Sequence, residues 1–340
     1  MNYRIQKIAG MERKYTESTW AIFAGMRFVL AAIVLVGHLH VFIAGTDRLS
    51  VISDFGPKAA VLGFLLISGV SIGHSYKQSP NGYFPRRFLR IYPLYFFAVL
   101  LTCVVTILVG SPYQLPGQTM AAAGWKTSLA AIFLLQGILS ITITYNGPLW
   151  TLGVETFLYL FAPLLSKSRL ELFILLISAS MVSFMFFPKD WLFGYSALRY
   201  SWPWLIGFLS ATQHRFKLIV FLLAIGVIIT AATKTDTIES LSWVTFGVVS
   251  IIVVLANAYV FNVSRSAQKI LNFFGELSYP IYLFHFPLYI ILYRYCAVRS
   301  PYTFILLTLL ISLALNYVID YWLKRIFWKP LVGWVVLRFK

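Results

Sequence analysis

Charge is scarce in this chain. Only 11% of its 340 residues are Asp, Glu, Lys or Arg, against about 25% in a soluble domain. With 59% apolar residues and a mean hydropathy of +0.79, that shortage excludes a soluble globular protein. Aromatic residues at 17% exclude a disordered chain as well. Acidic residues are the scarcest: 11 stand against 28 Lys plus Arg, for a net charge of +17. The sequence has no nucleic-acid-binding motif and no basic low-complexity tail, so nucleic acid is not an expected partner. The surplus reads as the basic bias of cytoplasmic loops in a membrane protein. Cys103 and Cys296, two in all, are too few for a metal site of their own or a disulfide framework. The first 19 residues lack the short apolar core and small-residue cleavage site of a signal peptide, so the first apolar segment is expected to be retained. No internal repeat is present.

What the chain does have is a regular succession of apolar runs. They cover about 20–43, 57–76, 91–110, 148–165, 171–187, 200–213, 217–233, 243–261, 277–297 and 302–323. The length suits about ten membrane helices with short loops. The predicted fold is therefore all-α, a polytopic integral membrane helical bundle. Residues 1–19 form a cytoplasmic segment, 20–325 the membrane domain, and 326–340 an interfacial tail rich in Lys, Arg and Trp.

One further apolar stretch, 127–145, decides the topology. If it enters and leaves on one side and the N-terminus is inside, nineteen of the 28 basic residues fall in inside segments and seven outside. If it crosses, everything after it inverts and the two sides become nearly equal. The positive-inside rule selects the first arrangement, with both termini cytoplasmic and 127–145 re-entrant or interfacial. A re-entrant segment must be buried in protein or face water, which makes it a candidate cavity wall.

Ionisable residues inside membrane spans are costly and tend to mark function. Here they are Arg27, His38, His40, His74, Glu155, His285 and Arg294, with Asp320 placed to pair with Lys324 one turn on. Arg27 and His38 are eleven residues apart, three turns plus about 20°, so they share a helix face about 16 Å apart along the axis. Arg27 also reads as a side chain snorkelling to the inner headgroups, and His38 as a buried histidine held by a carbonyl. His40 reads as interfacial, His74 as a headgroup contact and the loop residue His214 as solvated. Ser68-Gly69 at mid-depth of the second span first suggests close helix packing.

Arg86, Arg87 and Arg90 lie within five residues at the inner membrane edge. They read either as a topology signal against anionic lipid or as a polyphosphate site, since guanidinium forks match phosphate oxygens. Glu155 lies about 10 Å below the outer end of its span. A carboxylate there must be protonated, paired or hydrated. Arg199, Arg27 and His38 are its candidate partners. His285 sits near mid-membrane on a helix kinked or opened by Pro280 and Pro287.

Together these segments resemble acyltransferase family 3, bacterial membrane enzymes that modify surface and secreted glycans, over about residues 20–325. Arg27 and His38 match the family's R-x10-H. Phe84 to Tyr95 matches its arginine-rich motif. Leu149 to Leu165, with Trp150, Thr151, Leu152, Glu155, Phe157, Tyr159 and Pro163, matches W-S-L-x-x-E-x-x-F-Y-L-x-x-P. Leu277 to Leu288 matches S-Y-x-x-Y-L-x-H-x-P. Val61 to Val70 departs from the usual V-D-L-F-F-x-x-S-G-F by lacking the acidic residue and the final aromatic, and keeps Ser68. The hydrolase-like domain that some members carry after the bundle is expected on a separate protein.

The resemblance implies acyl transfer from cytoplasmic acyl-CoA, with acetyl-CoA as donor co-substrate and no metal, to a hydroxyl of a glycan or lipid-linked saccharide. Membrane lipid and polysaccharide-assembly proteins are the other implied partners, in a bacterial inner membrane. Arg86, Arg87 and Arg90 would hold CoA phosphates, with Arg27 beside the acyl-pantetheine path. His38 would act as general base with Glu155 orienting it. Ser68, Trp150, Tyr282 and His285 would line the substrate site, and a covalent intermediate at His38 or Ser68 stays open. The rival reading is a proton-coupled transporter or flippase, which uses similar intramembrane His and Glu. A structural subunit of an export assembly is the third.

Overall fold

The computed structural model describes residues 15–43, 47–110, 112–120, 124–186, 195–213, 215–233 and 240–338. The N-terminal basic residues Arg4, Lys7, Arg13 and Lys14, together with Lys189, His214, Lys234 and Lys340, lie outside the described residues.

The described residues are mostly helical, with one small hairpin. Helix α1 is Glu17–Gly37 and continues into a 3-10 turn, Leu39–Val41. Next come α2 Asp47–Ser53, α3 Pro57–Gln78 and α4 Tyr83–Val109. The hairpin pairs β1 Tyr113–Leu115 with β2 Gln118–Met120, Tyr113 opposite Met120. After α5, Trp125–Ile132, a 3-10 segment Thr144–Leu149 leads into α6, Trp150–Leu165. The rest are α7 Leu170–Phe186, α8 Tyr195–Thr212, α9 Phe216–Ala232, α10 Ser242–Ala258, α11 Arg265–Arg294 and α12 Pro301–Asn316. A π-helical stretch, Tyr317–Trp328, then joins α12 to α13, Lys329–Arg338. Each expected apolar run falls on a helix. Among the described residues five helical stretches are long and apolar enough to cross a membrane: Glu17–Val41, Pro57–Gln78, Tyr83–Val109, Thr144–Leu165 and Pro301–Gly333. Helices α7, α9 and α10 are apolar but shorter.

Local sequence explains the boundaries. Thr16 caps α1 in a reciprocal box with Thr19. Ser300 caps α12, with Pro301 at its first turn. Prolines inside helices free the carbonyl four residues earlier, and side chains from other elements take over two of these. Pro287 frees Leu283 O, which accepts from Asn146 Nδ2 at 2.9 Å. Pro163 frees Tyr159 O, which accepts from the Tyr83 hydroxyl at 3.3 Å. Both prolines thus tie their helices to neighbours.

Helices α3 and α8 pack closely because glycines face backbone. A Cβ on Gly69 would stand 2.1 Å from Trp204 O, and one on Gly207 would stand 2.2 Å from Leu66 O. Helices α1 and α11 run side by side, with Phe28 on Phe274 at the middle of α1 and His38 on His285 at its C-terminal end.

Contacts between loops sort the helix ends into two sets. The Tyr145 hydroxyl donates to Gly110 O, Gly117 N donates to Val41 O, and the Tyr295 hydroxyl donates to Leu108 O. The end of α1, the hairpin, the start of α6 and the end of α11 therefore share one end of the bundle. At the other, Thr16 reaches Phe261 O, Gln213 reaches Ser168 O, and Trp328 packs on Phe88. Segment 127–145 finishes at the first end, with Tyr145 on Gly110 O, and its helix α5 meets Tyr92 and Tyr95 of α4. Its helix α5 has eight residues, about 12 Å against the ~30 Å of a hydrocarbon core. The fully buried Gln136 anchors it, donating to Leu149 O at 2.6 Å and to the Tyr95 hydroxyl at 2.9 Å.

Candidate active site

Two polar stations lie along α1, at the depths of Arg27 and His38. The first gathers side chains from four helices. The Ser68 hydroxyl of α3 and the Tyr159 hydroxyl of α6 both donate to Glu155 Oε1, Tyr159 at 2.6 Å. Ser68 and Tyr159 are themselves 3.0 Å apart. Two hydroxyl donors thus converge on one carboxylate oxygen without a cation in contact. Arg27 lies within electrostatic reach of Glu155, Tyr159 and Arg90, and Arg87 within reach of Tyr159 and Arg90. Glu155 makes no ion pair with Arg27, and Arg27 Nε is buried without a hydrogen-bond partner. Arg27 thus faces the carboxylate electrostatically, and Arg87 and Arg90 extend the positive charge from it towards the start of α4.

The arginine triplet is not uniform. Arg86 is exposed and spends its guanidinium on the turn before α4, donating to Asn81 O at 2.5 Å and to Ser79 O. Arg87 donates to Ser75 Oγ at 2.5 Å and lies 6.0 Å from the Tyr83 ring centre. Its Nε is buried and unpartnered. Arg90 is exposed.

The second station is a histidine pair. His38 caps the C-terminus of α1. Its Nδ1 is 2.9 Å from Val34 O and 3.1 Å from His285 Nε2, and the rings stack at 5.1 Å. His285 is fully buried, whereas His38 is partly exposed. The partner of His38 is therefore His285, and no hydrogen bond joins it to Glu155. The reason is depth. Thr151 meets Tyr282, three residues before His285 on α11, and Glu155 lies four residues below Thr151 on α6. Glu155 is thus drawn towards Arg27, where Ser68 and Tyr159 hold it.

Tyr282 separates the stations. Its hydroxyl contacts Pro148 O at 2.9 Å and Thr151 Oγ1 at 2.8 Å. Trp150 packs on Tyr200 of α8, ring centres 4.6 Å apart, and makes no ring contact with either histidine among the described residues. His74 packs on Tyr15 and Trp20. Asp320 pairs with Lys324 at 2.7 Å, as their spacing predicts. Among the described residues no group of His, Cys, Asp and Glu is placed to hold a metal. In the sequence Tyr159 stands only as a motif residue, and its place one turn after Glu155 is the signal that would pair them.

A protein of Acidianus two-tailed virus named "Putative acetyltransferase ORF330" is 28% identical over 248 residues, covering 65% of this chain and 68% of the viral one. No solved structure matches significantly. Residues 20–321, which hold both stations and every motif described above, match the acyltransferase domain of acyltransferase family 3, and the chain belongs to that family.

Proposed function

We propose that this acyltransferase moves an acyl group, acetyl first among the candidates, from cytoplasmic acyl-CoA to a hydroxyl of a cell-surface or exported glycan. The observation that carries the reading is the pair of stations on one helix. Cations outnumber carboxylates at one, and an accessible imidazole stands at the other, about 16 Å further along α1. Acetyl is favoured by the name of the viral relative. In this reading ten segments cross a bacterial inner membrane, both termini are cytoplasmic, and 127–145 does not cross.

The division of labour follows from charge. Arg87 and Arg90, helped by Arg27, hold the phosphates of the donor as charge-assisted forks. The acyl-pantetheine arm runs along α1 past Tyr282. The acceptor hydroxyl gives its proton to His38 as its oxygen attacks the thioester carbonyl. The carbon–sulfur bond breaks, and His38 returns the proton to the departing thiolate. Glu155 belongs to the donor station and limits its positive charge.

Purified protein in liposomes with acetyl-CoA and a surface-glycan extract tests this. Free CoA should appear only when both the protein and the acceptor are present, and His38→Ala should abolish it. Proton-driven uptake of glycan without CoA release would establish the transporter reading instead.

A further inference from the structure

Neither ring nitrogen of His285 is free to choose its proton. Nδ1 lies 3.1 Å from Ile281 O and 2.9 Å from Tyr282 O. Both carbonyls only accept, so Nδ1 must carry a hydrogen. In the neutral ring Nε2 is then a lone pair, and it faces His38 Nδ1 at 3.1 Å. His38 Nδ1 faces a second acceptor, Val34 O, at 2.9 Å. Two acceptors on one nitrogen require a hydrogen there too. The lone pair of His38 is thereby left on Nε2, the nitrogen with no partner inside the protein among the described residues.

We propose that His285 is the positioning residue of His38, fixing its Nδ1–H tautomer and its ring plane so that Nε2 is the base presented to the acceptor hydroxyl. This rests on the reading of His38 as base and reassigns His285 from the substrate lining to a place behind the base. The role matches that of the carboxylate behind the histidine of a Ser-His-Asp triad, played here by a neutral ring. Neutrality suits the surroundings. His285 is fully buried among apolar neighbours such as Phe286 and Tyr289, where an unpaired carboxylate would be costly. The stacked rings, inclined at 29°, also limit rotation of His38 about its Cβ–Cγ bond. When His38 takes a proton on Nε2, its Nδ1–H becomes a charged donor to the waiting lone pair of His285, and such bonds are about twice as strong as neutral ones.

The test reads the tautomer directly. In protein labelled with 15N-histidine and held in lipid nanodiscs, the His38 resonance is assigned by its loss in His38→Ala. The expected wild-type signature is a protonated Nδ1 and a bare Nε2. His285→Leu removes one of the two acceptors and leaves Val34 O alone to hold the Nδ1–H, so it should raise the Nε2–H fraction of His38 without emptying the Nδ1–H form, free the ring to turn, and lower kcat about 10²-fold or more, with the donor KM unchanged. His285→Gln keeps an amide N–H for the carbonyls and an oxygen for His38, and should recover at least a tenth of the wild-type kcat. A wild-type His38 protonated on Nε2 overturns the proposal without any variant. Equal losses in the Leu and Gln variants, with the tautomer unmoved, also overturn it. Full activity in His38→Ala would instead refute the reading of His38 as base.

Discussion

The Tyr159 hydroxyl reaches Glu155 from one helical turn away on α6, while the Ser68 hydroxyl reaches the same oxygen from α3. Groups that share one acceptor should not act independently. Combining Glu155→Gln with Tyr159→Phe is expected to show a coupling of about 0.5–3 kcal/mol in a detergent unfolding cycle. Combining Glu155→Gln with His285→Gln should be additive to within about 0.5 kcal/mol, because the two stations share no hydrogen bond. Additivity in the first pair would dissolve the Glu155 triangle. The arginines separate in a similar way. A phosphate contact contributes roughly 1.5–3 kcal/mol, so Arg87→Gln with Arg90→Gln should raise the acyl-CoA KM tenfold or more. Arg86→Gln, which loses only turn carbonyl contacts, should change it little. Equal effects from all three would restore the uniform triplet that the sequence implies. That Arg27, His38, Glu155 and His285 stand inside apolar helices was legible in the sequence. Which of them meet was not, because partner choice depends on the relative depth of α1, α6 and α11. A shift of four residues moves a side chain about 6 Å along the axis, enough to exchange Glu155 for His285 at His38.

At the scale of elements, apolar periodicity marks each helix but says little about which helices touch. The pairing of α3 with α8 was half visible, since Ser68-Gly69 announces close packing without naming a partner. The partner becomes clear only where Gly207 meets Leu66 O in return. Gly69→Ala and Gly207→Ala should each destabilise the protein by about 1–3 kcal/mol or more, the usual cost of overpacking. Here the obstacle is backbone, which cannot rotate away. Gly247→Ala on α10 meets only side-chain atoms at 3.9 Å and should be neutral or gain up to about 1 kcal/mol of helix propensity. Thermal unfolding in one detergent compares the three, and equal tolerance at all of them would mean that α3 and α8 are not in backbone contact. The short α5 illustrates the opposite limit of sequence reading. Its apolar run resembles the others, yet Leu134 and Gly137 adopt positive φ values of 59° and 72°. Those turns fold the chain back before a span can form.

Across the whole molecule, the loop contacts and the positions of the basic residues are independent of each other, and they partition the chain in the same way. The end holding Thr16, Ser168 and Phe261 also holds Arg86, Arg87, Lys167, Arg169, Arg215, Arg265 and Lys269. The end holding Val41, Gly117 and Tyr295 has far fewer cations, Lys58, Lys126 and Arg299 among them. In the proposed reading the positive-inside rule turns the first end to the cytoplasm. The proposed chemistry requires the same orientation, since its acyl-CoA donor is cytoplasmic and the arginines proposed to hold it lie at that end. Sidedness can be read with membrane-impermeant maleimide on intact bacterial cells. Cys296 is exposed, so in a Cys103→Ser protein it should label from outside, as should Gln118→Cys on the hairpin in a background lacking both native cysteines. Ser168→Cys and Ser266→Cys in that same background should label only after the cells are opened. Labelling of Ser168→Cys in intact cells would put the arginines of α4, which share its end of the bundle, on the side without CoA, and a cytoplasmic donor would no longer fit the site. Labelling of Ser266→Cys alone would be more specific. It would mean that the chain inverts between α7 and α11, against the contact between Thr16 and Phe261 that holds the starts of α1 and α11 at one end of the bundle.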